Sequence, residues 1–160
     1  AGVFARRPPG PGMDASIDAV RVAGTPTGPV PVVLLAVEGE SDLLPIFIGF
    51  DEAASIARGL DAEDIGRPLT HDLTLNLVEE LGGRIERVVV SDVDDGTYIA
   101  DLHLTTPRES TVIDARPSDS LALAARTNAP LEVDESVFEA GRRDPDEFED
   151  MDDIREVMEV

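Results

Sequence analysis

The stretch VPVVLLAVEGESDLLPIFIGFDEAASIARGL, residues 30–60, contains the switch in hydrophobic period that decides the fold. Two apolar runs, over 30–37 and 43–48, are separated by Glu38-Gly39-Glu40, and each predicts a strand. From residue 51 the apolar positions are instead spaced at i, i+3, i+4 and i+7. This spacing predicts a helix over 51–60 whose buried face consists of Ala53, Ile56, Ala57 and Leu60.

The rest of the chain alternates in the same way between strand and helix patterns. Further strands are predicted over 16–22, 84–93, 97–105, 110–115 and 131–133, with Asp94-Asp95-Gly96 as the turn of a hairpin. Helices are predicted over 70–81 and 117–128, and a helical turn over 135–140. In the helix over 70–81, Thr70 is the expected cap, Gly82-Gly83 the stop, and the expected buried stripe is Leu73, Leu77, Val78 and Leu81.

An internal repeat supports one fold class. A shift of 68 residues places Asp51 on Asp119 and Arg58 on Arg126, and it aligns two alanine pairs between them. Each of these helices follows a comparable set of strands. The sequence therefore predicts an α+β fold with a duplicated strand–helix unit, in which mixed or antiparallel sheets pack against helices.

The two ends differ from the centre in composition. Residues 1–12 are rich in Pro, Gly and Arg and predict a flexible extension, so we expect Met13 to be the natural first residue. The centre, 13–140, is predicted to be one domain. Residues 141–160 contain nine acids against three Arg and predict an acidic tail that is either solvated or a short helix.

The charge distribution suggests a salty environment. The formal net charge is -21, all 13 basic residues are Arg, and Lys, Gln and Trp are absent. Molar salt shortens the Debye length to about 3 Å, which hides the repulsion among so many acids. The composition thus predicts a halophilic protein, and an ordinary acidic protein is the alternative. Under the first interpretation the charge does not exclude nucleic acid as a partner.

Several classes of site are excluded or lack their motifs. The chain has no Cys, which excludes disulfides, thiol catalysis and Cys-ligated zinc. The motifs of serine hydrolases, P-loop proteins, dinucleotide-binding proteins and zinc proteases are also missing. With two His and no Cys, any metal is expected to have oxygen ligands, as Mg or Mn does. No apolar run reaches the roughly 18 residues that span a bilayer, so no membrane partner is expected, and cytoplasmic is the default location.

Three candidate clusters lie where a helix is predicted to begin. The first contains Arg67, His71 and Asp72 in RPLTHDL; a His-Asp pair beside an Arg suits proton or phosphate handling, although Asp72 could simply complement the helix dipole. The second contains Arg116, Ser118 and Asp119 in RPSD, where Ser118 or Asp119 could instead cap a helix. The third contains Glu52, after Gly49-Phe50-Asp51. The clusters lie tens of residues apart, so only the fold can unite them.

Four motifs together carry a family resemblance. VVLLAVEG with LPIFIG, DEAASIARGL, RPLTHDL and DARPSDSLALAARTNAPLEV resemble the bifunctional nuclease family over about residues 16–137. The resemblance implies an α+β fold with a duplicated unit, degradation of DNA and RNA, and a homo-oligomer. The residues of the matching motifs are Glu52, Arg67, His71, Asp72, Arg116, Ser118 and Asp119. The acidic composition and the lack of Lys depart from a typical nuclease.

The resemblance implies a hypothetical mechanism and leaves one main rival, with a small-molecule binder as a further alternative. Glu52, Asp72 and Asp119 would hold one or two Mg or Mn ions that activate water, and His71 would act as the general base or acid. Arg67, Arg116 and Ser118 would bind the phosphate of DNA or RNA. The rival is a non-catalytic oligomeric scaffold or regulator, in which the same residues form caps and interface contacts. Convergence of the clusters in one open cleft would favour the enzyme.

Overall fold

The computed structural model of the chain describes residues 11–63 and 66–158. Its strands are β1 Gly12–Thr25, β2 Gly28–Val37, β3 Leu43–Phe47, β4 Arg84–Asp94, β5 Thr97–Thr105, β6 Ser110–Ala115, β7 Leu131–Asp134 and β8 Asp152–Asp153. Its helices are α1 Phe50–Leu60, α2 Thr70–Glu80, α3 Pro117–Arg126, α4 Glu135–Gly141 and α5 Ile154–Val157, with a 3-10 turn at Pro145–Phe148. None of the described helices combines the length and the apolar composition of a transmembrane span.

The strands form one mixed sheet with the order β3-β2-β1-β7-β4-β5-β6, and β8 pairs with β1. The triplets β1-β2-β3 and β4-β5-β6 are each antiparallel, and each is followed by a helix that packs against the other, α1 or α3. Strand β7 joins the triplets because it runs antiparallel to β1 and parallel to β4. The α+β fold with two strand–helix units is therefore confirmed.

The apolar run in β2 is continuous because both faces of this strand are covered. Val33 and Leu35 face a core that contains Ile56 of α1 and Leu121 of α3, while Val32 and Leu34 pack in a second cluster with Phe148. In α1 the predicted stripe is buried at Ala53, Ile56 and Ala57, but Leu60 is 39% exposed at the end of the helix. The hairpin turn lies where predicted, and Asp95 and Gly96 both have positive φ.

The C-terminal segment corrects the prediction of a solvated acidic tail for 141–160. Phe148 and Ile154 are buried, and β8 pairs with Arg21 and Val22 of β1. The segment does contain the short helix that the sequence allowed, α5, and Arg155 ties it to Asp61 at the end of α1 with contacts of 2.8 Å. The acids lie at the surface around a few apolar anchors, so the segment is part of the fold through residue 158.

The N-terminal boundary also differs from the prediction. Strand β1 begins at Gly12, which pairs with Asp134 of β7, whereas the alternation of apolar residues predicted a start at residue 16. Most of the predicted flexible extension, residues 1–10, lies outside the described residues. At residue 12 the backbone is already part of the sheet, because the partner strand β7 is adjacent there.

Helix α2 overturns the predicted buried stripe. Leu73, Leu77 and Leu81 are 50%, 55% and 79% exposed, and α2 contains no buried residue. The inward face consists of His71, Leu75 and Val78, which follow an i, i+4, i+7 spacing and are half-buried, so Val78 is the one member of the predicted stripe that faces inward. Thr70 is not the cap either, because Leu69 occupies the cap position and its backbone N–H donates to the Asp72 carboxylate at 3.0 Å.

Candidate active site

Helices α1, α2 and α3 begin around the same open cavity, which has a volume of about 410 Å³. First-turn residues from each helix line it, together with Ser55 and Arg58 of α1. The lining residues of the three first turns are Asp51, Glu52, Thr70, His71 and Asp119, with Arg116 at the cap of α3. Because each helix N-terminus carries a partial positive charge, the convergence of three of them favours an anion in the cavity.

A chain of hydrogen bonds joins one residue from each helix. Ser55 Oγ lies 2.6 Å from His71 Nδ1, and His71 Nε2 lies 2.9 Å from Asp119 Oδ1. Partial burial opposes ionisation of Asp119, but hydrogen bonds from Arg116 and His71 outweigh it and hold the pKa of this carboxyl below its ordinary value. Asp119 is therefore an acceptor, so His71 Nε2 carries a proton. In neutral His71 the basic nitrogen is then Nδ1, which accepts from the Ser55 hydroxyl.

Arg116 provides an exposed cation beside this chain. Its Nε donates to Asp119 Oδ2 at 2.9 Å, and one terminal nitrogen lies 3.7 Å from Glu52 Oε1. The Arg116 side chain is 67% exposed, so its guanidinium also faces solvent. An Arg held in place by a carboxylate and still open to solvent can bind a phosphate with its remaining N–H groups.

Asp72 has a structural role in this arrangement. Its Oδ1 accepts from Arg126 Nε at 2.7 Å, while its Oδ2 accepts from the Leu69 backbone. Arg126 also donates to the backbone oxygens of Ser55 and Ala122, both at 2.9 Å. Burial opposes ionisation of Asp72, but these hydrogen bonds from Arg126 and Leu69 lower its pKa. Arg126 thus fastens α2 to α1 and α3, and the structural interpretation of Asp72 fits the geometry.

The remaining predicted residues lie outside the cavity. Ser118 is buried and lines a neighbouring cavity, which Glu52 and Arg116 also line. Arg67 is exposed before α2 and does not line either cavity. The structure therefore unites Glu52, His71, Arg116 and Asp119, places Ser118 next to them, and separates Asp72 and Arg67 from the cavity.

Sequence reasoning missed Ser55 and Arg126. Ser55 follows Glu52 by three residues on one helix, so it lies on the same face one turn later, and this spacing is the signal that could have found it. Arg126 appeared only as a repeat match to Arg58. Nothing in the local sequence connects it with Asp72, which lies 54 residues earlier.

The predicted metal ligands do not form one set. Across residues 11–63 and 66–158, no group of three His, Asp or Glu side chains is placed so that it could hold a metal ion. Both oxygens of Asp72 and both of Asp119 already accept hydrogen bonds from the protein, and Glu52 faces Arg116. Because these three carboxylates are paired with Arg, His and backbone groups and are not grouped around one point, Glu52, Asp72 and Asp119 in this arrangement do not fit a resident Mg or Mn ion.

Comparison with known proteins connects this site to a family. A family model described as bifunctional nuclease domain matches residues 32–145. An uncharacterized protein of Mycobacterium tuberculosis (strain CDC 1551 / Oshkosh) is 40% identical over 121 residues, which cover 75% of this chain and 72% of that protein. Bifunctional nuclease 2 of Oryza sativa subsp. japonica is 27% identical over 69% of this chain and 35% of its own length. Bifunctional nuclease 1 of Arabidopsis thaliana is 28% identical over 66% of this chain and 34% of its own length.

The matched region contains the whole candidate site. It begins in β2 and ends after α4, so it includes α1, α2 and α3 and every residue that lines the cavity between them. The plant relatives are about three times as long as their matched segments, so the similarity covers one part of those proteins. The chain belongs to the bifunctional nuclease domain family.

Proposed function

We propose that this chain hydrolyses phosphodiester bonds of DNA and RNA in the cavity where α1, α2 and α3 begin. The observation that carries the proposal is the hydrogen-bonded chain of Ser55, His71 and Asp119, with exposed Arg116 beside it. A carboxylate that orients a histidine, next to a phosphate-binding guanidinium, is what acid–base hydrolysis of a phosphodiester requires. The plant relatives are named bifunctional nucleases, which supports the same reaction.

Arg116 is the proposed phosphate ligand. It has N–H groups that Asp119 does not use, and the three helix N-termini add positive potential at the same place. Arg58 lines the cavity and supplies a second positive charge. Glu52 lies 3.7 Å from Arg116 and competes with the substrate, so we expect the bound phosphate to displace Glu52 from this weaker contact.

His71 moves the proton through Ser55. Its basic nitrogen, Nδ1, already accepts from Ser55 Oγ. Because Ser55 is only 7% exposed, a water molecule can contact its Oγ, but a diester has too little room there for in-line attack by Oγ. The attacking water therefore gives its proton to Ser55 Oγ while the Ser55 proton passes to His71 Nδ1. The P–O bond to water forms, the bond to the leaving oxygen breaks, and the leaving oxygen takes a proton from solvent, while His71 afterwards releases its proton to solvent through Ser55. Asp119 stabilises the intermediate imidazolium.

The proposal includes the salt concentration at which the protein works. With a net charge of -21 and no Lys, the protein repels nucleic acid in dilute buffer, and we propose that it works in molar salt, as a halophilic protein does. Molar salt screens this repulsion, but it also weakens phosphate contacts. Substrate affinity then has to come partly from contacts that do not depend on charge.

The test is a nuclease assay in molar KCl with labelled single-stranded DNA and RNA. Wild type is compared with His71→Ala and with the matched control His103→Ala, since His103 lies on β5 and does not line the cavity. We expect His71→Ala to lose cleavage and His103→Ala to retain it. Equal digestion by all three proteins would show a contaminant and overturn the proposal.

A second candidate function rests on the exposed face of α2. Leu73, Leu77 and Leu81 form an apolar stripe that favours a non-catalytic oligomeric scaffold in which a second copy covers it. In that case mass measurement by light scattering shows a homo-oligomer that Leu77→Asp dissociates, and cleavage is absent. Because like-charged copies repel, the oligomer is expected to strengthen as salt increases.

A further inference from the structure

A second cavity of about 410 Å³ lies directly beside the candidate active site. The two cavities share Glu52 and Arg116, so a phosphate bound to Arg116 lies at the boundary between them. The lining of the second cavity includes Phe47 from the end of β3 and Tyr98 from the tip of the β4–β5 hairpin. A group that is attached to the bound phosphate and points into the second cavity therefore contacts two aromatic side chains, Phe47 and Tyr98.

The distribution of aromatic residues sets this place apart. The chain has five Phe, one Tyr and no Trp. Phe138 and Phe148 are buried in the two core clusters, whereas Phe47 is 58% exposed and Phe50 is 44% exposed. Phe47 and Tyr98 line the second cavity, and Phe50 follows Gly49, which also lines it. Among the described residues, every aromatic side chain outside the core is therefore at or next to this cavity.

We propose that the second cavity binds an unpaired base of a single-stranded nucleic acid, next to the phosphate that Arg116 holds. This inference rests on the proposed function and names its substrate class. An exposed Phe beside a phosphate-binding Arg is how proteins stack bases of single strands, and each stacked base contributes about 1–3 kcal/mol. In a duplex the bases are paired and stacked inside the helix, so a base can enter only when its strand is single.

Stacking also resolves the difficulty that salt creates for this protein. Ionic contacts to phosphate weaken as salt increases, whereas the contact of a base with an apolar ring does not depend on counterion release. A chain with 34 acids and 13 Arg has little other means of holding nucleic acid in molar salt. The exposed ring of Phe47, with the half-buried ring of Tyr98, provides a salt-resistant part of the affinity at the place where the phosphate is held.

Tyr98 allows a direct test, because it is the single Tyr of a chain without Trp and it lines this cavity, so its fluorescence responds to a base that enters there. Using full-length protein in molar KCl with EDTA, we would titrate oligothymidylate, a duplex of equal length and inorganic phosphate. We expect the single strand to quench Tyr98 and the duplex and phosphate to leave it unchanged. Phe47→Ala should weaken binding of the single strand about tenfold or more. Leu77→Ala, a change of a similarly exposed apolar residue on α2, should not.

The inactive variant separates this inference from the proposed function. His71→Ala should bind and quench as wild type does, because His71 lies in the other cavity. Quenching by the single strand without cleavage by wild type would leave the base site standing and overturn the nuclease. Cleavage with equal binding of duplex, or with no effect of Phe47→Ala, would overturn the base site alone. If Tyr98 is quenched as the protein concentration rises, with no nucleic acid present, the cavity would be assigned to a second copy of the chain. This result would also overturn the base site.

Discussion

His71 Nε2 lies 2.9 Å from Asp119 Oδ1, although 48 residues separate the two in the chain. This hydrogen bond connects the first turn of α2 with the first turn of α3, and it fixes which nitrogen of His71 can accept a proton. In the proposed mechanism the bond therefore directs proton transfer toward Ser55 on α1. Three helices are needed to build it, so the site depends on the packing of the helices as much as on the residues themselves.

Asp119→Asn is the most direct test of this relationship. Asn removes the negative charge that stabilises the imidazolium and can present an N–H to His71 Nε2, so we expect kcat to fall by about 10²–10⁴-fold. KM should change much less. Steady-state kinetics on a labelled oligonucleotide measure both values. Asp51→Asn, in the same cavity, is the matched control and should keep kcat within a few-fold. Equal losses in both variants would mean that the overall charge of the cavity matters and the His71 contact does not.

Ser55→Ala tests the proton route. Removal of the hydroxyl leaves Nδ1 of His71 without its relay, and we expect kcat to decrease about 10–100-fold with KM nearly unchanged. Thr70→Ala removes another hydroxyl at the same cavity and should be neutral. Mass spectrometry of wild type quenched during turnover should show no phosphorylated Ser55. A phosphoserine adduct would instead make Ser55 the nucleophile.

Much of the fold follows from hydrophobic period, and the exceptions have physical causes. Helix α1 is predictable because it has one apolar stripe, at Ala53, Ile56 and Ala57. Helix α2 has two stripes, and the inward one includes a polar residue, His71, so a rule based on hydrophobicity selects the wrong face. In the C-terminal segment the many acids hide two apolar anchors, Phe148 and Ile154, which are enough to fix it.

The sequence was enough to predict which residues form most of the candidate site, but not which of these residues contact one another. The motifs identified His71, Arg116 and Asp119, which the fold does bring together. The predicted metal ligands do not come together, because the sequence shows where the carboxylates are but does not show which cations neutralise them. Arg126 meets Asp72 from 54 residues away, and only tertiary structure reveals that this acid is already occupied.

The hydrogen bonds of Asp72 and Asp119 also predict how a chelator affects cleavage. Because the oxygens of Asp72 and Asp119 are held by Arg and His side chains and by a backbone N–H, we expect cleavage to persist in EDTA. The measurement compares initial rates in molar KCl with Mg, with Mn and with excess EDTA. Rates within twofold of each other agree with the geometry. A complete loss in EDTA that Mg restores would show that the carboxylates rearrange around a metal ion, as the sequence predicted.

Phe148→Ala tests whether the C-terminal segment is part of the folded domain. Phe148 is 6% exposed and packs with Val32, Leu34 and Leu43 on the face of the sheet opposite the main core. Its truncation should lower the free energy of unfolding by about 3–5 kcal/mol, measured by denaturant titration in molar KCl. Phe47→Ala removes the same atoms from an exposed position and should cost far less. Similar small losses in both variants would restore the solvated-tail interpretation.

Asp72→Asn separates structure from catalysis through pH. Arg126 and the Leu69 N–H hold the pKa of Asp72 below the ordinary value of about 4, so its ionised form stabilises the folded state. A lowered pKa contributes stability that is complete above the unfolded value and is lost as the pH falls through the folded value. We therefore expect Asp72→Asn to lower the free energy of unfolding by about 1–2 kcal/mol at pH 7, since the side chain is 33% exposed.

The difference from wild type should fade progressively as the pH falls below about 4, because Asp72 of the unfolded wild-type chain is protonated first and Asp72 of the folded chain follows at its lower pKa. Asp51→Asn, which removes one negative charge from the first turn of α1, is again the matched control. If the loss from Asp72→Asn were the same at pH 3 and pH 7, the charge on Asp72 would not be what fastens α2, and packing of Leu75 and Val78 would have to hold the helix instead. In that case His71, one residue earlier, would owe its position at Ser55 to those apolar contacts.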